Sequence, residues 1–459
     1  MKLFKKKPDL FPTPYTFQNA LKYGDKKTKS SFFIMGMGNI LRKQYGKGAL
    51  FLVSQLTYIL FMIFSGINCI VALPGLGSVT QGKVWDETKG IFIYTEGDRS
   101  LVILLFGIAT LLITIGMILL YRNSIKSAYK AQCLEQNNKP LPSLKDDIKS
   151  LFNENIHTLL LSGPVAGVLI FNILPLIFMI SMAFTDYSKI DSKLVLFDWV
   201  GLKNFFEILS FNSTIGKQFW GVLVWTIIWA IFATFLNYFF GMLLALIINR
   251  KETRGKAFWR FCFMLSIAVP QFVSLMIMRT MLQPEGAMNI LLRNIGLLAA
   301  NQSLPFFQDP MWARCTVIII NLWVGIPYTM IQVTGILQNI PAELYESAKV
   351  DGANAFTIFF KITLPYMLFV TTPYLISTFM GNINNFNVIY LLSGGDPTPV
   401  GYTAGKTDLL VTWLYKLTVD QQYYNWGAVI GILTFIVLAI VSLVTYQNSN
   451  SYKDEEGFM

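Results

Sequence analysis

Long apolar runs separated by short charged segments set the architecture of this chain. No charged residue lies between Lys47 and Lys83, and the run from about Leu50 to Leu73 is long enough for one membrane-spanning helix of about 20 residues. A second span fits between Arg99 and Arg122, a third from about Leu159 to Phe184, and a fourth from about Phe219 to Ile248. The fifth starts near Phe261 and is broken around Pro270, the sixth covers about Cys315 to Leu337, the seventh about Pro365 to Ile389 and the eighth about Trp426 to Tyr446. Pro164 and Pro175 are expected to bend the third span, Gly325 and Pro327 lie inside the sixth, and Pro373 with Asn382, Asn384 and Asn385 interrupts the seventh. The pattern predicts an all-α polytopic membrane protein of about eight transmembrane helices.

Charge orients these spans. Residues 1–48 are rich in lysine, and the segment from Arg122 to Glu154 carries Lys126, Lys130, Lys139, Lys145 and Lys149. The turn RKETRGKAFWR holds Arg250, Lys251, Arg254, Lys256 and Arg260, the strongest inside marker in the chain. The segment with Trp85, Asp86, Glu87, Glu96 and Asp98 is near neutral, as an outside loop should be. Both termini are therefore expected in the cytoplasm. The expected organisation is a cytoplasmic tail over 1–48, two accessory transmembrane helices with a cytoplasmic loop over 49–156, a six-helix core over 157–447 and a cytoplasmic tail over 448–459. The first tail reads as unstructured, with MGMGNILRKQYGKG as a stretch able to rest on the anionic leaflet.

Composition sharpens the class. The chain has 459 residues, 54% hydrophobic and 14% charged, with a mean hydropathy of +0.50, which excludes a soluble protein. The net charge of +11 follows the cytoplasmic segments, so it marks orientation and not nucleic-acid binding. Cys69, Cys262 and Cys315 fall within or at the ends of apolar runs and Cys133 in the basic loop, with no disulfide or metal spacing among them. The start MKLFKKKPDLF leads into no apolar signal core, so no cleaved signal is expected.

Little chemistry is carried at membrane depth. Arg260, Arg279 and Arg314 sit at span ends and His157 at the start of one, whereas an ion-coupled carrier normally places carboxylates or histidines within the membrane. Gly405-Lys406-Thr407 resembles the end of a phosphate-binding loop, but the glycine such a loop needs five positions earlier is Val400. The amides of GNINNF remain: Asn382 and Asn385 are three apart, hence on one helical face, with Thr378 about a turn before them. Buried amides serve either hydrogen bonds between helices or a wet cavity for a hydroxyl-rich solute, and the sequence leaves both uses open.

A polar island, Glu343 to Pro365, interrupts the apolar runs. Pro341 suits the first turn of a short helix, Glu343 its positive end, and Gly352 its stop. Glu346-Ser347-Ala348, then Gly352 after three residues, then Ile362 after nine and Leu364-Pro365 after one more, resembles the EAA motif of ATP-binding-cassette importer permeases, with Ser347 as the departure. The resemblance implies a type I importer permease fold and a coupling loop over 341–365, where Glu343, Glu346, Ser347, Ala348, Asp351, Gly352, Ile362, Leu364 and Pro365 engage a separate cytoplasmic ATPase.

FWGVLVWTIIW, RGKAFWR, AVPQF, NLWVGIPYTM, NNFNVIYLLSGGDP and AGKTDLLVTWLYK are similar to the larger permease subunit of maltose and maltodextrin importers. That likeness implies sugar contacts at Val324, Gly325, Tyr328, Thr378, Gly381, Asn382 and Asn385; Thr378 stands where serine is usual and Gly381 where a bulky aromatic can occur, which would widen the site. It also implies a second homologous permease, two ATPase subunits that bind ATP and magnesium, and a sugar-binding protein. The short outside loop between the third and fourth spans is similar to Gram-positive importers, whose binding protein is lipid-anchored. The resemblance implies no enzyme activity and no bound cofactor in this chain. An importer for galacto-oligosaccharides, a secondary sugar carrier and a membrane scaffold stand as the alternatives.

Overall fold

The computed structural model describes residues 15–250 and 252–447. Among them, seven helices are long and apolar enough to cross a membrane, and one bent pair makes an eighth. The described residues form two compact units, one reaching Tyr187 with Asp191–Val200 added, the other made of Ser188–Ile190 and the chain from Gly201.

In the first unit the spans are Tyr45–Ala72, Ser100–Gln136 and Ile156–Met182. The second helix continues beyond the expected crossing segment. It has 37 residues, about 55 Å at 1.5 Å per residue against a hydrocarbon core of about 30 Å, so it runs on past Arg122 and Cys133 lies on a helix, not in a loop. Ile125, Tyr129 and Cys133 recur every four residues and are buried against Ala20.

The N-terminal segment is likewise folded from Tyr15 onward, and only the part of the tail before it lies outside the described residues. Short helices Phe17–Tyr23, Lys26–Ser30 and Met37–Ile40 pack on the extended helix, the first two capped by Thr16 and Asp25. Gln132 binds this cap region by accepting from Asp25 N at 2.9 Å and Thr28 Oγ1 at 2.8 Å and donating to Tyr23 O at 3.0 Å. The fully buried Arg42 side chain meets Asp25 at 2.7 Å and Glu135 at 2.8 Å, and such a charge persists inside only when paired.

The outside loop of this unit holds a hairpin that apolar periodicity did not reveal, β1 (Gly82–Asp86) antiparallel to β2 (Ile91–Thr95).

The second unit is built on the span Thr214–Asn249, against which Pro310–Leu337 and Ala355–Ile383 pack. The broken fifth span is Lys256–Ala268 followed by Gln271–Met281, bent by 83° at Pro270; it begins within the basic turn, earlier than the apolar run. The seventh span also begins early, at Ala355, where Asn354 accepts from Thr357 N at 2.8 Å. Pro373 does not interrupt it, and the Thr371 and Thr372 hydroxyls nearby bond the carbonyls of Met367 and Leu368 one turn back. The interruption falls at Asn384. Asn385 caps a new helix, Phe386–Leu392, by accepting from Val388 N at 3.2 Å, so Asn382 and Asn385 do not share one helical face.

Two apolar clusters hold the unit together. One, toward the outside, gathers Trp225, Trp229, Leu275, Val317 and Val388; the other, toward the cytoplasm, gathers Tyr238, Met242, Met330, Val333 and Met367. The polar site lies between them.

Candidate functional site

Asn237 sits about two-thirds of the way along Thr214–Asn249, with Thr234 one turn before it. A cavity of about 210 Å³ opens there. The sixth span contributes Asn321, Val324, Gly325 and Tyr328, and the seventh Tyr374, Thr378 and Asn382. The span can approach Asn237 because position 325 is glycine; a Cβ there would run into the Asn237 amide. No charged side chain lines the cavity among the described residues.

Its hydrogen-bond inventory separates committed groups from open ones. Asn382 Nδ2 donates to Thr234 Oγ1 at 3.0 Å and the Asn382 backbone carbonyl accepts from Trp229 Nε1 at 3.2 Å. Tyr238 and Thr371 share a hydrogen bond at 2.7 Å. Asn237 Nδ2 donates to Ala233 O at 2.7 Å, but Asn237 Oδ1 has no partner, and neither has Asn321 Nδ2. Both atoms are buried, so an acceptor and a donor stand uncompensated at a cost of about 1–3 kcal/mol each until a ligand or water meets them. A neutral cavity lined by the amides of Gln271, Asn237 and Asn321, the Thr378 hydroxyl and the rings of Tyr328 and Tyr374 suits an uncharged hydroxyl-rich solute.

Five of the seven expected contacts line this cavity: Val324, Gly325, Tyr328, Thr378 and Asn382. Two do not. Gly381 is exposed, with open space where its Cβ would lie, so a larger residue there would not fill the cavity. Asn385 reaches Asn382 Oδ1 at 3.4 Å and spends its own Oδ1 on the cap. Asn237 and Asn321 were missed, although an amide within an apolar run is the same signal that pointed to Asn382.

The polar island forms a second site. Its helix is Ala342–Val350, with Pro341 just before it and Glu343 in the first turn. Gly352 has φ +75°, and Gly352 N donates to Lys349 O at 3.0 Å while Ala353 N donates to Ala348 O at 2.9 Å, the paired bonds of a glycine helix stop. Glu343, Glu346, Ser347 and Asp351 are exposed and Ala348 half-buried. Leu344 and Val350 are exposed apolar side chains on the same short helix. Ile362, Leu364 and Pro365 lie beyond this surface, at the base of the seventh span. Tyr345 OH lies 3.2 Å from Thr363 Oγ1, and Tyr345 and Leu364 both pack on the inner cluster, so the helix is braced to the span below it.

Gly405-Lys406-Thr407 forms no phosphate cradle. Gly405 N donates to Asp408 Oδ2 at 2.7 Å and Thr407 Oγ1 to Asp396 O at 2.7 Å, so the loop's donors are used internally. Asp408 is fully buried and pairs with Lys416 at 2.7 Å. Burial nevertheless holds its carboxyl above the usual aspartate range, against the pull of Lys416 and the Gly405 N–H.

Bent and broken spans around a mid-depth polar cavity, with a braced polar helix at the cytoplasmic end, define a multi-pass membrane permease. Residues 237–451 match the family described as binding-protein-dependent transport system inner membrane component, and the chain belongs to that family. It is 34% identical over 425 residues to the galactooligosaccharides transport system permease protein GanP of Bacillus subtilis (strain 168), covering 92% of this chain and 97% of that one. It is also 34% identical over 449 residues to the maltodextrin transport system permease protein MalC of Streptococcus pneumoniae serotype 4 (strain ATCC BAA-334 / TIGR4), covering 95% and 99%. Among solved structures, a chain of a bacterial alginate ABC transporter in complex with its alginate pentasaccharide-bound periplasmic protein shares the fold, with a TM-score of 0.54 and 24% identity over 66% of this chain and 96% of that one.

Proposed function

We propose that this chain is the permease subunit of an ATP-driven importer that moves maltodextrin-type oligosaccharides across the plasma membrane by alternating access. The observation that carries the reading is the neutral mid-depth cavity lined by amides, hydroxyls and tyrosine rings, where Asn237 Oδ1 and Asn321 Nδ2 have no partner within the chain. At about 210 Å³ it is smaller than the roughly 300–1,000 Å³ of pockets that enclose a ligand. A second homologous permease would supply the facing wall. Two cytoplasmic ATPase subunits would carry ATP and magnesium, with no cofactor on this chain, and dock on the helix Ala342–Val350. A lipid-anchored sugar-binding protein would deliver the solute outside.

Uptake of labelled maltotriose, with and without this chain, in cells otherwise lacking maltodextrin transport tests the substrate. Uptake that depends on the chain supports the reading. An assembled complex that ignores maltotriose but imports galacto-oligosaccharides would replace it with the second reading, which the similarity to GanP favours. Transport by this chain alone, collapsed by ionophores, would instead mean a secondary carrier. Gly352→Val tests the coupling surface, because a β-branched residue resists φ +75°: ATPase association and uptake should be lost while membrane insertion persists.

A further inference from the structure

A second cavity, about 250 Å³, lies in the first unit between the spans Tyr45–Ala72 and Ser100–Gln136. Its walls include Ile59, Met117 and Ile118, and Met35 of the N-terminal segment reaches it from the cytoplasmic side. The polar side chains around it are already committed. Gln55 Oε1 accepts from Met35 N at 2.7 Å and its amide donates to Phe33 O at 3.2 Å. Tyr121 OH donates to Phe32 O at 2.9 Å, and Tyr58 OH donates to Thr114 Oγ1 at 3.1 Å. Each of these groups already has a partner within the chain, so an occupant is offered mainly apolar surface. The two methionines add side chains that adapt to an irregular ligand. Both walls belong to membrane spans, so hydrocarbon is the medium that reaches the cavity.

The cytoplasmic rim is cationic. Arg122 stands one turn beyond Ile118 on the second span and Lys126 one turn beyond Arg122, while Lys29 stands one turn before the exposed Phe33. All three cations are exposed, and none has an ion-pair partner among the described residues; Arg122 lies only over the Phe17 ring, at 5.9 Å. Residues 15–48 carry seven Lys and Arg against a single acid, Asp25, which is taken by Arg42. Apolar walls below unpaired cations at the inner membrane surface complement an acyl chain below an anionic headgroup.

We propose that this cavity holds one acyl chain of an anionic glycerophospholipid of the inner leaflet, with its phosphate against Arg122, Lys126 and Lys29. The bound lipid ties the N-terminal segment to the two accessory spans.

The test uses the delipidated transporter complex, titrated with phosphatidylglycerol or with phosphatidylethanolamine of the same chains, and native mass spectrometry of this subunit after its release. One phosphatidylglycerol should remain bound, with at least tenfold preference over phosphatidylethanolamine. Met117→Trp, which fills the cavity, should reduce retention about tenfold. The Arg122→Ala/Lys126→Ala pair alters only exposed side chains, so it keeps the test valid if the tryptophan disturbs assembly; it should erase the preference. Equal retention of both lipids by the unaltered chain would overturn the proposal, as would retention indifferent to both variants. Displacement by free glycerol phosphate would overturn the acyl-chain role, because the headgroup alone would then suffice.

Discussion

The third and fourth spans are comparably apolar, yet this chain treats them differently. In Thr214–Asn249, 44% of the most apolar stretch is buried; in Ile156–Met182 none of it is. Lipid is as apolar as leucine, so apolarity alone marks depth and says nothing about neighbours. What separates the two is small and polar side chains. The fourth span buries Ala230, Ala233, Gly241 and Ala245 with Thr226, Thr234 and Asn237. The third carries Gly163 and Gly167, four apart, and nothing described lies within 4 Å of where their Cβ atoms would be. The fourth span has its partners within its own unit; the Gly163–Gly167 face of the third has none among the described residues of the first unit.

Three kinds of partner then give three kinds of failure. Where the chain supplies its own partner, loss should show in folding. Arg42→Ala, which leaves Asp25 without an ion-pair partner and Glu135 with Lys27 alone, should cost about 2–3 kcal/mol, seen as roughly thirtyfold to hundredfold faster hydrogen exchange over residues 15–48 in the assembled complex. Unchanged exchange would mean that Arg42 does not hold the segment. Where the partner is solute, loss should show in transport. Asn237→Leu should reduce uptake about tenfold to hundredfold, the equivalent of about 1–3 kcal/mol, with assembly unchanged. Full uptake in that variant would remove Asn237 from the site and leave its amide a helix-packing group.

Where the partner is another chain, loss should show in assembly. Gly163→Leu and Gly167→Leu should each weaken co-purification of the proposed second permease about fivefold, near 1 kcal/mol of close packing, without changing membrane insertion. An equal loss from a leucine at Gly116, which also has open space at its Cβ but lies on the second span, would dissolve the distinction drawn for the third.

The same comparison explains what was legible beforehand. Charge gaps located every span, and the spacing from Glu346 to Pro365 located the polar helix, because depth and helix stops leave local marks. Burial partners leave weaker ones. Charge marks where the second span leaves the membrane near Arg122 but not where its helix stops, because the stripe Ile125, Tyr129, Cys133 continues the helix against a folded N-terminal segment. Asn385 looked like a partner of Asn382 by spacing, but a residue three positions on shares a face only while the helix continues, and the helix ends at Ile383. Asn237 and Asn321 carried the same local signal as Asn382, and only packing shows which amides are left open.

The smallest effect distinguishes the folded N-terminal segment from an unstructured basic tail by its acid response. Burial pushes the Asp25 carboxyl up, but the Thr28 N–H and Arg42 outweigh it and hold it below the ordinary aspartate value. A carboxylate depressed on folding contributes stability in full above its unfolded value, and that contribution is lost as pH falls through the lower folded value. Protection of residues 15–48, corrected for intrinsic exchange, should therefore be flat near neutrality and decline only in the acid range. Asp25→Asn should flatten that decline while lowering protection at neutral pH, since Glu135 is then the one carboxylate left on Arg42 among the described residues. Asp146 is also held low, through the Ser143 cap, but belongs to the separate helix Leu144–Phe152, so its replacement should leave the acid response of residues 15–48 in place. If Asp25→Asn retains the full acid decline, the response comes from elsewhere in the complex and the Asp25–Arg42 pair is not what fastens this segment.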